Sequence, residues 1–326
     1  MSHRNSAFSP QSKIELKNAI ACLGLLPKKR LSMSAMNDMP IDTSVRTFFI
    51  TGATDGIGRH TALKLACDGH RVLVHGRKPP YSKDVRNLLA DIRSNGAHST
   101  SYLQANLLDL EEVSQLAEAV QKETEKLDVL INNAGVFDPS EEESAQGFET
   151  TWAVNVLAPF KLTMLLLPMI AKGTDPRIIV TSTMSQSQSL PADVDSIGVA
   201  GGPYTKPYKA YGLSKLGDHL FTVGLADRLG ASSDPRLSAI KCLTVDPDMV
   251  NTKLHFYYRG WCGMDLRDAD NTYSIATANV DHLESGAYSF GSTGSHDARR
   301  PANVSVLWNL LEKQTGLVYS EKAIGA

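Results

Sequence analysis

Short apolar runs alternate along this chain with longer stretches in which apolar residues recur at helical spacing. Thr47–Ile50, Arg71–His75, Ser101–Ala105, Val129–Ile131, Arg177–Thr181 and about Leu237–Val245 read as buried strands. The helix-like run Thr61–Ala66 and the segments Asp84–Ser94, Glu111–Glu125, Phe148–Ile170 and Tyr208–Leu229 read as helices, the second closed by Asn95-Gly96. Strands that alternate regularly with helices specify an α/β fold with a parallel, doubly wound sheet. From Met249 to Arg300 the pattern dissolves into Tyr, Trp, Gly and Ser, and Val304–Gln314 then restores helical spacing around Leu307, Trp308 and Leu311. Ligands of open α/β sheets bind past the carboxyl ends of the strands, which is where this irregular stretch falls.

The expected organisation is one α/β domain over residues 45–320, preceded by an extension over residues 1–44. That extension carries Arg4, Lys13, Lys17, Lys28, Lys29 and Arg30 against Glu15, Asp38 and Asp42, with many serines. It reads as a disordered tail on a cytoplasmic protein, with a mitochondrial or plastid transit peptide as the alternative. Met33, Met36 and Met39 leave room for a later translation start. The net charge of −2 lacks the electropositive footprint of a nucleic-acid binder, so a small molecule is the expected partner. Cys22, Cys67, Cys242 and Cys262 are scattered, which points to a reducing compartment and no structural metal. The apolar runs Ala19–Leu26 and Leu162–Ile170 fall short of the roughly 20 residues that span a bilayer, so no transmembrane segment is expected.

Between the first strand and the first helix lies Thr51-Gly52-Ala53-Thr54-Asp55-Gly56-Ile57-Gly58. Glycines let the backbone approach a pyrophosphate with no Cβ in the way, and the following helix offers unpaired N–H groups. The spacing differs from the G-x-G-x-x-G fingerprint, but strand, turn and helix come in the order a dinucleotide cradle needs. Further along, Tyr211-Gly-Leu-Ser-Lys215 places a phenol and an ammonium four residues apart on one helix face. A phenol has a pKa near 10, and lowering it by about 3 units takes roughly 4 kcal/mol of differential stabilisation from such a cation. The tyrosine could then exchange protons with an alcohol or carbonyl oxygen near neutral pH. Asn132-Asn133-Ala134-Gly135, Asn155 and Thr181-Ser182-Thr183 precede this pair, each at the carboxyl end of a strand or in a helix beside one.

Together these motifs resemble the short-chain dehydrogenase/reductase family over about Arg46 to Leu317. The resemblance implies a Rossmann fold and an Asn, Ser, Tyr, Lys catalytic set, here Asn155, Thr183, Tyr211 and Lys215. It also implies that Gly52, Thr54, Asp55, Gly56, Ile57, Gly58, Arg77, Asn106, Leu107, Asn133, Ala134, Gly135 and Thr252 line the cofactor along with Tyr211 and Lys215, and that dimers or tetramers form. Thr183 stands where the family has its serine, and it is favoured over the neighbouring Ser182. Asp248 replaces the usual glycine of Asp246-Pro247-Asp248-Met249-Val250-Asn251-Thr252, and Asn106 replaces an aspartate near the adenine.

An NAD enzyme is expected to carry an acid at the end of its second strand, but this strand ends His75-Gly76-Arg77-Lys78. Arg77 suits a 2′-phosphate and Arg59 adds a second cation, so NADP(H) is the expected cofactor. Trp152 to Asn155, Leu166 to Pro168, the long insert before Tyr211, Ser285 to Tyr288 and Leu307-Trp308 look most like retinol dehydrogenases and WW-domain oxidoreductases, which implies lipophilic alcohols and carbonyls. Phe256, Tyr257, Tyr258, Trp261 and Met264 read either as an apolar lid or as plain core packing. A non-catalytic NADP(H)-binding protein and an epimerase or dehydratase on the same fold are the competing readings.

Overall fold

The computed structural model describes residues 44–138, 142–186, 190–200, 206–259, 263–290, 294–296 and 301–321. Residues 1–43 of the expected extension, Trp261, and the side chains of Tyr257 and Tyr258 lie outside the described residues. Eight strands form one sheet: β1 (Thr47–Ile50), β2 (Arg71–Gly76), β3 (Ser99–Gln104), β4 (Val129–Asn132), β5 (Arg177–Thr181), β6 (Lys241–Asp246), β7 (Tyr288–Phe290) and β8 (Gly294–His296). Their order is β3-β2-β1-β4-β5-β6-β7-β8; the first seven pair in parallel and β8 joins antiparallel. The chain winds outward from β1 to β3 and then crosses back to β4 beside β1. That reversal opens a crevice at the carboxyl ends of β1 and β4, the place where a doubly wound sheet receives its ligand.

The central strands are apolar throughout because helices cover both faces of the sheet. Phe48, Phe49 and Ile50 of β1 and Val129, Leu130 and Ile131 of β4 are all fully buried. Each such side chain contributes roughly 1.5–3 kcal/mol relative to an exposed one. The longer helices among the described residues are α1 (Gly56–Cys67), α2 (Lys83–Ser94), α3 (Leu110–Glu123), α4 (Thr150–Ile170), α5 (Pro207–Gly230), α6 (Lys253–Arg259), α7 (Asn271–Thr277) and α8 (Pro301–Thr315). One apolar cluster joins the sheet to α3, α4, α5 and α8 through residues such as Leu116, Leu166, Phe221 and Trp308. The other joins its opposite face to α1, α2 and α7 through Leu65, Leu88 and Ile275.

By length and composition α4 is apolar enough to cross a membrane, yet 78% of its apolar window is buried within the protein. A helix that is apolar all round is what a core position demands. Element boundaries differ from the sequence reading by a few residues in several places. Strand β6 starts at Lys241 rather than near Leu237, because the Asp234 carboxylate accepts Arg236 N–H and starts the one-turn helix Pro235–Ser238. The stretch that reads as irregular contains α6, α7, β7 and β8, elements of seven residues or fewer that are too short to show a period.

Candidate active site

The glycine-rich turn follows β1 and rests directly on the end of β4. Gly52 and Gly56 have φ of +65° and +55°, a conformation open to glycine and strained for other residues. A Cβ on Gly52 would come within 2.8 Å of the Ala134 Cα, and one on Gly58 within 2.7 Å of the Gly52 carbonyl oxygen. Asn133 fastens the two segments: its Nδ2 donates to Thr51 O at 2.9 Å, and the N–H groups of Asn133 and Ala134 both donate to Thr51 Oγ1 at 3.0 Å. Asp55 caps α1 by accepting from Gly56 N–H at 2.8 Å, and Thr54 packs against Gly76 at the end of β2. Thus Gly52, Thr54, Asp55, Gly56, Ile57, Gly58, Asn133 and Ala134 meet at the carboxyl ends of β1 and β4. The absent Cβ atoms and the amino terminus of α1 fit a pyrophosphate.

His75 supports this turn from below. Its Nδ1 accepts from Gly52 N–H at 3.2 Å and its Nε2–H donates to Ala105 O at 3.1 Å, so the neutral ring is fixed in one tautomer. Burial pushes its pKa down from 6.5 to about 4. Between those values the unfolded chain binds the proton and the folded one does not, so stability is complete above pH 6.5 and falls as the pH drops toward 4. The fall expected from His75 alone is about 3 kcal/mol. Denaturant titrations of wild type and His75→Gln across that window check this, since Gln can keep both hydrogen bonds but takes up no proton.

Tyr211 and Lys215 project from α5 on one face, with Lys215 Nζ 5.8 Å from the centre of the Tyr211 ring. The Phe137 and Tyr211 rings meet in a T-shaped arrangement with centroids 5.7 Å apart. Asn155 lies in a π-helical turn, Ala153–Leu157, within α4, a distortion often found at functional sites. Its Oδ1 accepts from Val136 N–H at 2.8 Å, while its Nδ2 donates to Val136 O at 2.9 Å and to Ser214 Oγ at 3.0 Å. It therefore clamps the segment after β4 to α5. A Cβ on Gly135 would lie 3.5 Å from Asn155 Oδ1 and 3.6 Å from Lys215 Nζ, ordinary contact distances that place Gly135 beside both groups.

At the end of β5 the two hydroxyls separate. Ser182 is buried and its Oγ donates to the Lys215 carbonyl oxygen at 2.9 Å, a packing role. Thr183 is half-buried, and its Oγ1 accepts from Ser185 N–H at 3.3 Å. The segment is held in place by Asp246, whose Oδ2 accepts from Met184 N–H at 2.7 Å and from the Tyr288 hydroxyl at 2.9 Å. Burial pushes the Asp246 carboxyl up, against the pull of these donors. Asp248 has φ +69°, in the left-handed region that glycine occupies most readily. Its Oδ1 accepts from Met249 N–H at 2.7 Å, the local bond that lets an aspartate tolerate this region.

Toward the outer end of the cradle, Arg77 is exposed just after β2, and Asn106 turns its Oδ1 to Leu108 N–H at 3.3 Å beside buried Leu107. Arg59, beside the turn, is paired with Asp91 of α2. A Cβ on Gly56 would lie 3.4 Å from Thr252 Cγ2, which brings the Thr252 segment over the turn, and Lys253 bridges to Asp55 across it. The sequence reading gave no site role to His75, Asp246, Tyr288 or Asp218, which contact the site segments. Only Asp218 left a local signal, lying three residues past Lys215 on the same helix face.

The sequence model of the family described as short chain dehydrogenase matches residues 46–259. Polyprenol dehydrogenase of Mus musculus is 36% identical over 66% of this chain; the match spans 63% of that protein, less than two thirds of its length. A crystal structure of a Mycobacterium paratuberculosis protein superposes with a TM-score of 0.68 at 27% identity, covering 87% of this chain and 98% of that one. The NADPH-bound carbonyl reductase from chicken fatty liver shares the fold at a TM-score of 0.58 and 20% identity, over 77% of this chain and 98% of its own.

Proposed function

Because the chain belongs to the short-chain dehydrogenase family of oxidoreductases, we propose that it uses NADP(H) to interconvert a lipophilic alcohol and its carbonyl compound. The observation that carries this reading is the Tyr211–Lys215 pair on α5, set beside Asn155 and Gly135 and within the same crevice as the glycine-rich turn. Tyr211 gives its hydroxyl proton to the substrate oxygen in reduction and takes it back in oxidation. Lys215 stabilises the phenolate that results. Thr183 holds the substrate oxygen through its hydroxyl, while Asn155 fixes Val136 and α5 in register. The glycine-rich turn, Gly135 and Thr252 hold the dinucleotide, whose nicotinamide supplies or accepts the hydride when bound.

Preference for the phosphorylated cofactor rests on Arg77 and on the absence of an acid at the end of β2, and the chicken carbonyl reductase is itself NADPH-bound. The lipophilic substrate class rests on Phe137 and the exposed Tyr208 and Met184 around the catalytic groups, together with the activity named for the mouse relative. Arg77→Ala is expected to weaken NADPH binding about tenfold or more, the loss of a charge-assisted contact, while NADH binding changes less than about twofold. Fluorescence titration with both cofactors checks this. Equal weakening of both would remove the 2′-phosphate reading.

A further inference from the structure

Helix α5 carries a third ionisable group on its catalytic face. Asp218 lies three residues past Lys215 and seven past Tyr211, so the three side chains stack over two helical turns. It is 1% exposed, and its Oδ2 accepts from Lys215 Nζ at 2.9 Å. The same Nζ donates to Thr181 O at 2.8 Å, so two of its three N–H bonds are committed inside the protein. The second carboxylate oxygen of Asp218, Oδ1, is buried with no hydrogen-bond partner. A carboxylate with an unpartnered buried oxygen is destabilising, and a buried ion pair commonly adds no stability over apolar side chains of the same shape. Packing alone therefore gives no reason for an acid here.

We propose that Asp218 is a positioning residue of the catalytic site: it holds the Lys215 ammonium against Thr181 and, by opposing its charge, limits how strongly that ammonium acidifies Tyr211. This inference rests on Tyr211 being the proton-transfer group. With the carboxylate beside it, the ammonium presents Tyr211 with a partly neutralised pair instead of a full cation. Burial raises the Asp218 carboxyl and Lys215 pulls it back, the one charged group that acts on it strongly. The other titratable groups near this face are Tyr211 and His219 on α5, Asp246 on β6 and Tyr288 on β7. His219 turns its Nδ1 to Thr244 Oγ1, and Tyr288 is bound to Asp246. The π-turn and β5 present the Asn155 amide and the Thr181 carbonyl, neither of which titrates.

The test is the pH profile of kcat/KM for alcohol oxidation in the full chain, measured for wild type, Asp218→Asn, Asp218→Glu and Tyr211→Phe, with NADPH affinity and thermal midpoints alongside. Asp218→Asn removes the opposing charge, so the limb on which activity rises with pH is expected about one pH unit lower. Asp218→Glu keeps the charge and is expected to return the limb to the wild-type position. Activity lowered evenly at every pH in Asp218→Asn, with the limb unmoved, overturns the proposal. So does an Asn variant that fails to fold while the Glu variant folds, because that assigns the carboxylate to stability alone. Full turnover in Tyr211→Phe would instead overturn the underlying reading of Tyr211, a separate and distinguishable failure.

Discussion

Replacing Tyr211 by Phe is expected to lower kcat for carbonyl reduction by at least about a hundredfold, the lower range of what a positioned general acid supplies. The ring of Tyr211 is 8% exposed and packs edge-on against Phe137, contacts that a phenylalanine reproduces. The fold is therefore expected to survive, with a thermal midpoint close to wild type. Lys215 keeps its bonds to Thr181 O and Asp218, so NADPH affinity is expected to change less than about threefold. Stopped-flow turnover and fluorescence titration on the same preparation separate the two effects. Loss of cofactor affinity equal to the loss of turnover would mean that the hydroxyl holds the ligand and moves no proton.

Gly52→Ala is expected to destroy the cradle while sparing the catalytic groups. Alanine at φ +65° costs about 1–2 kcal/mol, and its Cβ would sit 2.8 Å from the Ala134 Cα. The new Cβ meets backbone there, so no side-chain rotation relieves the clash, and overpacking adds about 1–3 kcal/mol. Parting the turn from β4 also breaks the bonds from the Asn133 and Ala134 N–H groups to Thr51 Oγ1. NADPH affinity is expected to fall more than about a hundredfold, with a lower thermal midpoint, as read by titration and calorimetry. Unchanged affinity would place the dinucleotide elsewhere.

The cradle and the Tyr211–Lys215 pair were legible in the sequence because each is a local requirement. A turn that approaches a ligand needs glycine, and two groups on one helix face need a separation of three or four residues. Strands β1 and β4 were legible for a similar reason, since burial on both faces leaves an unbroken apolar run such as Phe48-Phe49-Ile50. What was hidden depends on residues distant along the chain. His75 supports Gly52 across 23 positions and Tyr288 holds Asp246 across 42, and neither residue carries a mark of its partner. The Arg59–Asp91 pair was hidden in the same way, because Asp91 lies on another helix. The bond from Ser182 to the Lys215 carbonyl was hidden too, because the two residues lie 33 positions apart.

The proposed reaction needs a phenol that exchanges a proton with substrate beside a bound nicotinamide. Its most direct test is to incubate the wild-type protein with NADPH and a panel of lipophilic aldehydes and ketones, following NADPH absorbance and alcohol formation together. One alcohol is expected for each NADPH consumed. NADPH that binds at one per chain and is never consumed across the panel, or product that forms with no net loss of NADPH, would contradict it.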